Sequence, residues 1–79
     1  MTTQEIKEIL AQGEVKFSYE KVDGSIREAR GTRNPEILEE YDATPRGDKP
    51  ENDAIVPYFD LDANGWRCFK VEKFIEFIN

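Results

Sequence analysis

A chain of 79 residues, with formal charge −6, pI near 4.6 and 38% hydrophobic residues, has room for one small domain, read here as spanning 1–79, because a chain of this size hides only about 60% of its unfolded surface. One Cys and no His exclude an internal disulfide, a Cys–His nucleophile and a histidine metal site, so packing must hold the core. The lone thiol, the lack of any apolar run near the roughly 20 residues of a membrane helix, and the lack of a basic-then-apolar leader point to a soluble, cytoplasmic protein with no membrane partner. The acidic balance repels a phosphate backbone at long range, so a duplex-DNA face is not expected.

The segment 1–13 predicts an N-terminal helix. Thr2 can cap it, Glu5 completes a capping box, and Gly13 stands where a left-handed stop residue belongs. Ile6, Ile9 and Leu10 give a narrow apolar stripe that a short helix must dock on something larger. From Val15 the period changes to two: Val15, Phe17 and Tyr19 alternate with Lys16, Ser18 and Glu20 as in a half-buried strand. Asp23-Gly24 reads as a two-residue hairpin turn. Ser25 to Arg30 returns as the partner strand, but its apolar members, Ile26 and Ala29, are three apart, which predicts a bulge or one weakly buried face.

Asn34 as cap, Pro35 in the first helical position and acids in the first turn predict a short mid-chain helical turn with Ile37, Leu38 and Tyr41 facing inward. The polar stretch 42–54, with two Pro, reads as a mobile loop. Ile55 to Leu61 alternates again, and Pro57, which lacks a ladder donor, places that end at a sheet edge. After Asn64-Gly65 the chain returns with Trp66, Cys68 and Lys70 on one face and Arg67 and Phe69 on the other. Val71 to Lys73 then makes a tight turn into a last strand, Phe74 to Ile78. A C-terminal helix is the rival reading there, and the aromatic and β-branched content favours the strand.

The strings Phe17-Ser18-Tyr19-Glu20-Lys21-Val22-Asp23-Gly24-Ser25-Ile26-Arg27-Glu28-Ala29-Arg30-Gly31-Thr32, Tyr58-Phe59-Asp60-Leu61 and Trp66-Arg67-Cys68-Phe69-Lys70 resemble a family of short bacterial and phage proteins with an SH3-like β-barrel and no assigned function. More distantly the chain is similar to the barrels of WYL-type regulatory domains, although the Trp-Tyr-Leu motif is absent and no sensing site is carried over. The resemblance and the periodicity together imply a mainly β (α+β) fold: a small SH3-like barrel of about five strands with an N-terminal helix.

Asp60-x-Asp62-x-Asn64-Gly65 matches the opening of a calcium loop, but its twelfth position is Val71 where a bidentate Glu is needed, and its flanks are strands. It reads better as a hairpin turn with Asp60 and Asp62 on its wet face, and no metal or cofactor is assigned. Paired carboxylates such as Glu39 with Glu40 and Asp60 with Asp62 are expected by chance in so acidic a chain, and nothing in the sequence sets two of them across a pocket, so no catalytic residue is assigned and the chain is read as not an enzyme. The expected function is a noncatalytic interaction or ligand-binding module, monomeric or weakly dimeric, for an unknown protein or small ligand, with Tyr58, Trp66 and Arg67 as contacts. The alternative is nucleotide or nucleic-acid binding by an Arg27, Arg30 and Arg33 cluster, whose planar forks suit phosphate. A regular strand would send Arg27 and Arg30 to opposite faces.

Overall fold

The computed structural model describes residues 2–43 and 53–78. Helix α1 spans Thr3–Gln12. Its capping box forms as the sequence predicts: Glu5 N donates to Thr2 Oγ1 at 3.2 Å and Thr2 N to Glu5 Oε1 at 3.1 Å. The expected left-handed stop does not form, since Gly13 has φ 164°, ψ −158°, an extended geometry. The helix end is satisfied from another element. Arg33 N donates to the Leu10 carbonyl at 2.8 Å, Asn34 Nδ2 to the Ala11 carbonyl at 3.0 Å, and Thr32 Oγ1 reaches the Gly13 carbonyl at 2.8 Å. These bonds do the work of a C-cap and fix α1 over the barrel, where Ile6 and Leu10 are buried.

Strand β1 is Val15–Glu20 and β2 is Ile26–Thr32, paired antiparallel in unbroken register from Val15 opposite Gly31 to Glu20 opposite Ile26. The weakly buried face foreseen for β2 is real: Ile26 is 59% exposed while Ala29 is buried. The loop joining the two strands runs from Lys21 to Ser25, longer than the expected two-residue turn. Gly24 at φ 89° makes the left-handed step, and Asp23 Oδ1 accepts from Ser25 N at 3.0 Å.

Helix α2 is Pro35–Glu40, capped by Asn34, whose side chain accepts from Glu36 N and Ile37 N. None of its residues is buried, and Tyr41, expected to face inward, stays 40% exposed. The loop expected over 42–54 falls mostly on 44–52, outside the described residues. Strands β3 (Ile55–Asp60) and β4 (Gly65–Lys70) form the second hairpin, and a 3₁₀ turn at Val71–Lys73 leads into β5 (Phe74–Ile78), as the strand reading requires. β5 pairs with β1, with the register shift between Ser18 and Tyr19. The sheet order is β4-β3-β2-β1-β5 throughout antiparallel.

Pro57 sits in an inner strand, not an edge. β2 and β3 pair only at Gly31 with Asp60 and Thr32 with Phe59, so Pro57 lies past the end of that ladder. Antiparallel residues face alternate neighbours in their hydrogen bonding. Because Leu61 N bonds the Arg30 carbonyl and Val71 N bonds the Ala54 carbonyl, Pro57 directs its missing donor toward the β2 side, where no ladder needs it. Arg33 Nη1 uses its carbonyl at 2.8 Å instead.

The core joins Phe17, Tyr19, Ala29, Val56, Tyr58 and Phe69 to Ile6 and Leu10, with Phe74 and Phe77 packed alongside. Its rings meet both edge-on and stacked: Phe17 lies 5.0 Å from Tyr58 at 84°, and Tyr19 stacks on Phe69 at 4.9 Å. Each large side chain buried this way contributes about 1.5–3 kcal/mol, and the ring geometry adds to it. Gly31 is needed beneath this cluster, because a Cβ there would stand 2.5 Å from Tyr58 Cδ2 and 3.1 Å from the Phe59 carbonyl.

Candidate functional site

The residues with chemical potential gather at one end of the barrel around Asp60. Its side chain is fully buried, which corrects the expected wet position. The β3–β4 loop needs it there. Oδ1 accepts from Asp62 N at 3.0 Å and Ala63 N at 2.9 Å, tying a four-residue turn in which Asn64 takes φ 54°. Oδ2 faces two cations, Arg27 Nη2 at 2.7 Å and Arg67 Nε at 3.4 Å. The calcium-like spelling is therefore spent on the protein's own donors. Among the described residues no three His, Cys, Asp or Glu side chains gather in a metal-binding group.

Electrostatics around Asp60 follow from those partners. Burial pushes its carboxyl up, but the Ala63 amide and the Arg27 guanidinium outweigh burial and hold it below the ordinary carboxylate range. Arg27 is raised in turn, chiefly by its hydrogen bond to Asp60. Tyr58 completes the line inward: its hydroxyl is 2.8 Å from that of Tyr19, and burial pushes its ionisation well above the normal phenol range.

Tyr58 is thus not a surface contact. It is fully buried on the face of β3 that meets Phe17. The signal that could have placed it is the small pair Ala29 and Gly31, two apart on one face of the neighbouring strand, which leaves room for a ring. The three-arginine cluster also comes apart. Arg27 turns to the barrel end, while Arg30, on the opposite face of β2, pairs with Glu14 at 3.0 Å and Asp62 at 3.2 Å. Arg33 lies beyond the strand and binds the Pro57 carbonyl. The structure instead brings together Arg27 on β2 and Arg67 on β4, residues that the sequence separates by α2 and β3.

Trp66 lies on the other face of the β3–β4 hairpin and is half-buried. Its ring meets Phe59 edge-on at 5.9 Å and 80°, and Phe59 in turn meets Tyr41 at 6.2 Å. Arg67 and Cys68 are exposed. β4 ends the sheet, and the alternation set by Val71 N turns the backbone groups of Cys68 and Lys70 away from β3, where no other strand among the described residues pairs with them.

An antiparallel sheet in this order, with a helix closing one end, defines a small SH3-like β fold. The chain belongs to the family WYL_2, described as an Sm-like SH3 β-barrel fold, whose model matches residues 3–75. Among curated proteins it is similar to an uncharacterised 11.5 kDa protein of the Gp31-cd intergenic region of Enterobacteria phage T4, 29% identical over 72 residues covering 89% of this chain and 71% of that one. No solved structure matches significantly. Among the described residues no helix is long and apolar enough to cross a membrane.

Proposed function

We propose that this protein is a noncatalytic cytoplasmic interaction module that takes an extended segment of a partner protein along the outer edge of β4. The observation that carries this reading is the outward-facing backbone of Cys68 and Lys70 at the end of the sheet. An added strand completes those hydrogen bonds, and side chains flanking the edge select its sequence. Trp66 supplies a half-buried ring and Arg67 and Lys70 supply cations, so the favoured segment carries carboxylates beside an apolar residue. Lysine on an edge also discourages indiscriminate pairing, which keeps the free chain monomeric or weakly dimeric.

The decisive variant is Lys70→Pro. Lys70 has φ −80°, ψ 135°, a geometry proline adopts without strain, and the donor it removes points away from β3. Peptides selected from a random extended library against the wild type should lose binding to Lys70→Pro at least tenfold while its circular dichroism and melting stay unchanged. Equal binding by a folded Lys70→Pro removes the edge from the account. Trp66→Ala should weaken the same peptides with the fold retained. If it unfolds the chain, Trp66 is packing and not contact.

A further inference from the structure

Two guanidinium groups converge on one carboxylate oxygen at the barrel end, and the count of charges there does not balance. Asp60 is the acid that Arg27 and Arg67 share, and its other oxygen is already taken by the Asp62 and Ala63 amides. Two other acids are engaged elsewhere: Glu20 meets Lys73 at 3.4 Å and Asp62 meets Arg30. Two fixed cations against one anion leave this spot positive in a chain whose formal charge is −6.

The donors are also incompletely used. Arg27 Nε is buried and finds no acceptor among the described residues. Arg67 engages Asp60 through Nε and keeps 47% of its side chain exposed, and Arg27 keeps 27%. A guanidinium offers five N–H groups in a planar fork that suits an oxyanion, and buried Asp60 holds both forks in place beforehand, so little side-chain freedom remains to be lost on binding. The surroundings limit what can bind. Glu20 on β1, Glu28 on β2 and Glu76 on β5 oppose a polyanion tracking across the sheet, whereas a single compact anion needs only the Arg27–Arg67 pair.

We propose that Arg27 and Arg67, preset by Asp60, form a binding site for one phosphate group, either free or carried as the monoester of a small molecule. The site does not require the β4 edge, so Lys70→Pro should leave it intact.

The test follows the Nε–H resonances of ¹⁵N-labelled protein during titration at low salt with inorganic phosphate, a nucleoside monophosphate and a single-stranded oligonucleotide. Saturable shifts of the Arg27 and Arg67 resonances with the first two ligands are expected. Arg67→Gln should weaken phosphate about tenfold to a hundredfold, the value of one charge-assisted contact, while Arg30→Gln, on the other face, should change it less than twofold. Tighter binding of the monophosphate than of phosphate identifies an esterified ligand, and equal binding identifies the free ion. Absence of saturable shifts overturns the site, as does equal weakening by both variants. Affinity that grows with oligonucleotide length overturns the single-phosphate assignment. Because the wild-type resonances report on their own, a poorly folded variant would not obscure the result.

Discussion

Replacing Asp60 by Asn keeps the shape of the residue and removes the charge. The amide oxygen can still accept from Asp62 and Ala63, but the Arg27 Nη2 contact at 2.7 Å then meets an amide nitrogen. Removing one partner of a buried ion pair costs roughly 3–5 kcal/mol. Arg27 keeps 27% exposure and recovers some hydration, which brings the expected loss to roughly 2–4 kcal/mol. Small domains have total stabilities near about 5 kcal/mol, and each kcal/mol moves the midpoint of a domain this size by about 4–8 °C. Asp60→Asn should therefore melt roughly 10–30 °C below the wild type. Urea titration at pH 7 measures the difference directly, and a double-mutant cycle with Arg27→Met should show at least about 1 kcal/mol of coupling. The pH dependence carries a sign. Asp60 ionises below its ordinary value when folded, so its contribution is complete above about pH 4 and is lost as the pH falls through the depressed value. The gap between wild type and Asp60→Asn should stay constant from neutral pH to about pH 5 and close on further acidification. A loss under about 1 kcal/mol, or a gap that widens in acid, refutes the placement of Asp60 as the anchor of this end.

Gly31→Ala puts a methyl group 2.5 Å from the Tyr58 ring and 3.1 Å from the Phe59 carbonyl, and should destabilise by about 1–3 kcal/mol in urea titration through forced repacking. Thr32→Val removes the hydroxyl that donates to the Gly13 carbonyl and accepts from Asn34 N. It should lower stability by about 1–3 kcal/mol and speed amide exchange in α1 more than in β1. Tyr58→Phe leaves the Tyr19 hydroxyl without its partner at 2.8 Å and should cost about 1–2 kcal/mol, measured by the shift in urea midpoint at constant slope.

Local signals reached the helices, the strands and the final turn into β5, because capping, period and turn residues act within a few positions. Thr2 with Glu5, Asn34 with Pro35, and the alternation of Val15, Phe17 and Tyr19 are of this kind. What stayed hidden depends on elements meeting at a distance. Asp60 looked wet because it is charged and precedes a turn, yet its partners are loop amides and Arg27, which lies on β2 across a long connection. Tyr58 looked like a surface aromatic because β3 alternates, yet both faces of β3 are covered, the inner one by the core and the outer one by Trp66 and Tyr41 around Phe59. The arginine cluster failed on spacing alone: three residues along a strand reverse the face, and Arg33 falls past the strand's end. The Arg27–Arg67 pair had no sequence signature at all, since the two residues stand on strands either side of β3 and meet only at its Asp60.

The most direct test of the proposed role is amide hydrogen exchange on the protein saturated with a selected extended peptide. Strand addition at β4 predicts marked slowing at Cys68 and Lys70, whose N–H groups face outward, with little change at Arg67 and Phe69, which already bond to β3. Slowing confined to β5 or α1, or none in β4, would contradict the account.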